Sequence, residues 1–78
     1  MYNGYKNYNT WNVALWINND YGLYQSAREF MRSYKGRSPY SDFIEWADLD
    51  GKKTPDGAKW AGRDLDLRAL NSVMRELR

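Results

Sequence analysis

Cysteine and histidine are both absent from this 78-residue chain. Without cysteine there is no disulfide to brace a small fold and no thiolate to hold zinc. Without either residue the commonest nucleophile, general-base and transition-metal ligand sets are gone, which removes serine triads and zinc deaminase or protease sites. No apolar run approaches the roughly 20 residues that span a bilayer. The opening MYNGYKNYN also lacks the apolar segment of a signal peptide. These absences set the expectation of a soluble, cytoplasmic protein with no membrane partner and no cofactor. A strong charge of one sign is missing too, since 12 basic and 10 acidic groups leave a net +2. The balance is uneven: residues 1–40 carry five basic and two acidic groups, residues 41–78 seven and eight. The first half can face an acidic partner, although its bias is far weaker than the basic stripe of a typical nucleic-acid domain.

Aromatic residues are what the chain does have, with four tryptophans and seven tyrosines. A chain of this length buries only roughly 60–65% of the surface it exposes when unfolded. Dense aromatic packing is one substitute for the missing disulfides, and oligomerisation is another. Trp11, Trp16, Trp46, Trp60, Phe30 and Phe43 are therefore expected to dominate the core. A homodimer would be a reasonable second route to stability.

The hydrophobic pattern predicts a mostly α single domain, residues 1–78, of three to four helices. Residues 1–8 are expected to form an extended arm ahead of a helical core over 9–78, docked by Tyr2, Tyr5 and Tyr8. Thr10 is a good N-cap for a helix over 11–18, although Val13 stands where a capping-box glutamate would. Trp11, Val13, Leu15 and Ile17 also alternate, so a strand competes there. Asn12, Asn18 and Asn19 interrupt the apolar positions of this block and must find hydrogen-bond partners if buried. Thr10, Trp11, Asn12, Leu15, Trp16, Asn18 and Asp20 thus read as a structural motif. Asp20 can cap a second helix whose stripe is Leu23, Ala27, Phe30, Met31 and Tyr34, with Gly36 as a left-handed C-cap. Ser38 and Pro39 open a shorter helix through Trp46 that stops near Asp48. The run DLDGKKTPDG places the longest loop over 48–57, and Thr54 and Pro55 suggest a short helical turn leading to Trp60. Asp64 is expected to cap the last helix, with Leu67, Leu70, Val73, Met74 and Leu77 on one face.

Asp42, Glu45 and Asp48 recur at i, i+3 and i+6, a spacing open to carboxylate chemistry but ordinary for a solvated helix edge. Asp48, Asp50 and Asp56 resemble part of a calcium loop, yet the ligand order and the closing glutamate fail. Gly51 with Lys52 and Lys53 lacks the upstream glycine of a phosphate loop. A more useful constellation is Arg28, Arg32 and Lys35 along the second helix, with Arg37 in the following turn. A second basic set, Arg68, Arg75 and Arg78, lies on the last helix. Brought to one side, the two ridges could grip phosphates or an acidic protein surface. Solvated faces with local ion pairs are the plainer alternative, and Glu29 and Glu76 can blunt either ridge. The tryptophans could stack bases, but a chain this small needs them for its core. Tyr2, Tyr5, Tyr8 and Tyr21 are better candidates for contact.

The run NGYKNYNTWNVALWINNDYGLY, residues 3–24, resembles the N-terminal signature of a family of small proteins from bacteriophages, cyanobacteria and other bacteria. Its members share an N-Y-x-T-W-N-V-x-L-W-x-x-N-D/E-x-x-x-Y pattern and have no established activity. Asn7, Tyr8, Thr10, Trp11, Asn12, Val13, Leu15, Trp16, Asn18, Asp20 and Tyr24 stand against that pattern, the stretch from Asn18 to Tyr24 being its loosest part. The resemblance implies a setting, a small accessory gene of a phage or mobile element, and supplies no catalytic or binding residue. Together these readings lead to a non-enzymatic accessory protein that binds a macromolecular partner, a host or defence-system protein first and nucleic acid as the alternative. The partner-binding candidates are Arg28, Arg32, Lys35, Arg37, Arg68, Arg75, Tyr2 and Tyr5.

Overall fold

The computed structural model describes all 78 residues and contains four helices: α1 Tyr8–Asn19, α2 Tyr21–Arg32, α3 Pro39–Trp46 and α4 Leu67–Arg75. The first begins earlier than Thr10 suggests. Asn7, extended at φ −152°, is the N-cap, and its side-chain oxygen accepts from the Thr10 backbone N–H at 2.9 Å. Asparagine caps at least as well as threonine. Thr10 lies in the first turn, where its hydroxyl is free for a longer-range task. The arm is correspondingly shorter than expected and not extended throughout: Tyr2 and Tyr5 exchange backbone hydrogen bonds around a tight turn at Asn3 and Gly4. The alternation over 11–17 does not produce a strand. On the helix it buries Thr10, Asn12, Val13, Ala14 and Ile17, while Trp11, Leu15 and Trp16 are half-buried.

Asp20 joins two helices. Its backbone N–H reaches Trp16 O at 2.9 Å to close α1, and its carboxylate accepts from Leu23 N at 3.0 Å to open α2. The expected α2 stripe forms, with Ala27 and Met31 buried and Leu23, Phe30 and Tyr34 partly so. The helix ends at Arg32, however, and Gly36 is not a left-handed cap. Glycine is required there for space: a Cβ on Gly36 would run into the Tyr34 hydroxyl. That ring cannot swing away freely, because its hydroxyl donates to Asp42 Oδ2 and accepts from Ser38 N at 3.0 Å.

Pro39 opens α3 as its first residue, without a side-chain cap from Ser38. Tyr40, Phe43 and Ile44 are buried on one face. Asp48, at φ +58°, ends the helix: its N–H reaches Glu45 O, and Leu49 N–H reaches Ile44 O. This is the Schellman arrangement, here with aspartate in the left-handed position. The irregular segment that follows runs to Asp66, beyond the expected loop. Thr54 and Pro55 start no helical turn. Instead Lys53 and Lys59 pair across a tight turn in which Thr54 N donates to Ala58 O at 2.7 Å and Gly57 N to Thr54 O at 2.8 Å. Gly57 makes that turn at φ +95°, a conformation open to glycine at no steric cost.

The last helix is capped by Asp66, which accepts from Ala69 N at 3.2 Å, and not by Asp64. Leu70, Val73 and Met74 are buried with Leu77 beyond the helix end, whereas Leu67 is at the exposed edge. α1 packs on α2 and α4, α3 on α2 and α4, and α2 on α4, around one core cluster. Trp60 is the only tryptophan fully buried there, so the tryptophan-dominated core is not what forms. Aliphatic side chains, Tyr40 and Phe43 fill most of it, and Trp46 is 57% exposed. No helix is long and apolar enough to cross a membrane.

Candidate binding face at the ends of α2 and α4

Two polar constellations arise from this fold, and they differ in kind. The first centres on Asn12, which is fully buried on α1. Its Oδ1 accepts from the Thr54 hydroxyl at 2.6 Å, and its Nδ2 donates to Asp56 Oδ2 at 2.8 Å. Trp16 Nε1 donates to the same carboxylate oxygen at 2.9 Å. Thr54 Oγ1 in turn accepts from Ala58 N at 3.1 Å, so the turn over 53–59 is fastened both to itself and to α1. The hydrogen bonds from Asn12 and then Trp16 hold the Asp56 carboxyl below its ordinary 3.8, against desolvation, which acts the other way.

Two residues earlier, the Thr10 hydroxyl donates to Asn7 Oδ1 at 2.7 Å and accepts from Asp66 N at 2.9 Å. Asn7 Nδ2 donates to the Asp64 carbonyl and Asn9 Nδ2 to the Asp64 carboxylate at 2.8 Å. The start of α1 is thereby tied to the start of α4. No buried side-chain polar atom in the chain lacks a partner. Thr10, Asn12, Trp16 and Asp20 thus hold the fold together. Asn18 does not join them: it is exposed, and Asn19 closes the helix end by donating to Leu15 O at 2.9 Å.

The second constellation lies where α2 and α4 end. Arg78 donates to the Tyr34 carbonyl, and Arg75 Nη2 to the Arg37 carbonyl at 3.4 Å, which brings the tail of the last helix against the turn after α2. A shallow depression of about 440 Å³ is lined by Arg32, Ser33, Tyr34, Lys35 and Arg78. The two basic ridges therefore meet, but only in part. Arg32, Lys35, Arg37, Arg75 and Arg78 share this corner. Arg28 sits one turn back along α2 with its guanidinium 5.9 Å from the centre of the Tyr24 ring. Arg68 stands at the other end of α4, about 10 Å away from Arg75 along the axis. Tyr2 and Tyr5 are also elsewhere: Tyr2 packs on Tyr8 and Trp11 at 5.2 and 4.9 Å between ring centres, and Tyr5 packs on the core.

Few acids answer the corner's charge. The chain forms two ion pairs, Arg32 with Glu29 at 3.5 Å and Lys52 with Asp48 at 3.8 Å, so Lys35, Arg37, Arg75 and Arg78 pair with no carboxylate. Glu29 is engaged by Arg32, and Asp42 by the Tyr34 hydroxyl. Desolvation first, and then that bond, raise the Tyr34 phenol above its ordinary 10.0, so it stays a neutral donor. The carboxylates of α3 do not gather into a site: Asp42 turns to Tyr34 and Asp48 to Lys52, and no group of three acids lies close enough to hold a metal ion.

Beside the cations lies a feature that composition hides. Phe30 stacks on Tyr34 at 5.1 Å and meets Trp46 at 5.4 Å and Phe43 at 5.6 Å. Phe43 is buried, whereas Trp46 reaches solvent over the depression lined by Phe30, Ser33, Tyr34 and Lys35. The signal was available: on a helical wheel Tyr40, Phe43, Ile44 and Ala47 already complete the apolar face, and Trp46 falls about 110° from its centre.

No curated protein and no solved structure matches the chain. A family of unknown function, DUF7249, matches residues 1–78, and the protein belongs to it.

Proposed function

We propose that this protein is a non-enzymatic accessory module whose work is to bind an anionic macromolecular partner at the corner formed by the ends of α2 and α4. The observation that carries the reading is the convergence of Arg32, Lys35, Arg37, Arg75 and Arg78 there, four of them without a carboxylate partner. Unpaired cations held in register are poised to exchange counterions for a partner's phosphates or carboxylates. Arg75 and Arg78 are already oriented by backbone carbonyls, so less freedom is lost when a partner docks.

The setting implied by the N-terminal resemblance, a phage or mobile-element accessory gene, would make an acidic surface of a host or defence-system protein the partner. Nucleic acid is the second reading, and one observation favours it: the exposed Trp46 ledge is continuous with the cations through Ser33, Tyr34 and Lys35. The test is retention on an immobilised polyanion, followed by affinity purification from host lysate. Wild type should bind and elute with salt, and Lys35→Gln/Arg75→Gln/Arg78→Gln should not be retained. Equal retention of the two would remove the corner from consideration.

A further inference from the structure

We infer that the partner class this corner is built for is single-stranded nucleic acid, with Trp46 as the platform on which a base stacks; the inference rests on the basic corner being the binding face. The two depressions at this end of the molecule share Ser33, Tyr34 and Lys35 and form one continuous surface. One end presents aromatic rings and the other presents Arg32, Lys35 and Arg78. Proteins that hold single strands combine these two parts, a stacking ring for bases and a row of cations for the backbone.

Trp46 meets the requirements of a platform. It is 57% exposed, and its ring packs against Phe30 and Phe43 at ring-centre distances of 5.4 and 6.1 Å, tilted by 45° and 32°. Those contacts fix the indole in place, which limits the entropy lost when a base lands on it. Phe30 and Tyr34 continue the aromatic surface toward the cations at 5.1 Å. A duplex keeps its base faces within the stack, so a ring presented this way is useful only to unpaired bases. An acidic protein surface would satisfy the cations equally well and could also bury Trp46, since tryptophan is enriched at protein interfaces, so the two partners are told apart by whether binding depends on bases. Glu29 also borders the aromatic depression, and its carboxylate is engaged by Arg32 at 3.5 Å.

The discriminating experiment compares two labelled strands of equal length and charge by fluorescence anisotropy: a thymidine decamer and a decamer of abasic sites. Wild type should bind the thymidine strand about 5- to 150-fold more tightly than the abasic strand, the range expected from one stacked base. Trp46→Ala should erase that difference, and Trp46→Phe should restore part of it. Matching thermal midpoints for wild type and both variants show that folding is not the cause. Lys35→Gln should weaken both strands alike. Equal, salt-sensitive affinity for the two strands would overturn the stacking inference and leave the basic corner standing. Failure of wild type to bind either strand at low salt would overturn the nucleic-acid inference, while the basic corner as a protein-binding face would stand or fall on the polyanion retention test.

Discussion

The start of α1 and the ends of α2 and α4 both carry clustered polar side chains and use them in opposite ways. Around Asn7, Thr10, Asn12 and Trp16, donors and acceptors are matched within the chain, bonding to Thr54, Asp56, Asp64 and Asp66 at 2.6–2.9 Å. At the other end, Lys35, Arg37, Arg75 and Arg78 face water without acidic partners. The first region is closed and satisfied; the second is open and unsatisfied. A buried polar group must be paired because desolvation would otherwise cost about 1–3 kcal/mol, whereas an exposed cation loses little by waiting for a partner. The difference separates residues that make the fold from residues that can use it.

The comparison breaks most sharply at Asn12. Replacing it with alanine removes the acceptor of the Thr54 hydroxyl and one of the two donors to the Asp56 carboxylate, and opens a small void. The expected loss is about 2–3 kcal/mol, a large share of the roughly 4–10 kcal/mol available to a chain of this size. Thermal unfolding should show the midpoint falling by about 10–20 °C. Next comes Thr10→Val, which keeps the shape but removes the hydroxyl between Asn7 and Asp66; calorimetry should register a loss of about 1–2 kcal/mol. Asp56 adds a pH test. Its folded pKa is depressed, so the stability it contributes is fully present above 3.8 and is lost as pH falls through the lower folded value. Acid titration of the thermal midpoint should therefore fall more steeply for wild type than for Asp56→Asn, and parallel curves would contradict the network. The smallest effect on stability belongs to the other region: Arg75→Gln and Arg78→Gln should stay within about 0.5 kcal/mol of wild type, while polyanion binding weakens.

Which parts of this were legible follows from the physics of each signal. The stripes of α2 and α4 were, because Ala27 and Met31, or Leu70, Val73 and Met74, recur at helical spacing against a polar background. So were the Asp20 cap and the Pro39 start, each a single residue with one strong preference. Caps failed where two good candidates lay within a turn: Asn7 displaced Thr10, and Asp66 displaced Asp64. In both cases the loser holds a contact between elements, which local propensity does not encode. Among the asparagines of the first block, Asn12 is buried and finds its partners in residues 42 and 44 positions away. Asn18 carried the same local signal yet points to solvent. The meeting of the basic ridges depended on how the tail of α4 lies against the turn after α2, a tertiary relation. Trp46 was misjudged because its size argued for burial, although its place on the wheel argued against it.

Salt dependence measures the separation of roles most directly. The affinity of wild type and of Lys35→Gln/Arg75→Gln/Arg78→Gln for the thymidine decamer can be followed across a salt series, beside Asn12→Ala held well below its unfolding temperature. A corner that grips the backbone predicts a shallower salt slope for the triple variant, by roughly 0.7 for each cation whose phosphate contact is lost, with an unchanged thermal midpoint. It also predicts a wild-type slope for Asn12→Ala. The account is contradicted if the triple variant keeps the wild-type slope, or if Asn12→Ala keeps its stability and loses the binding instead.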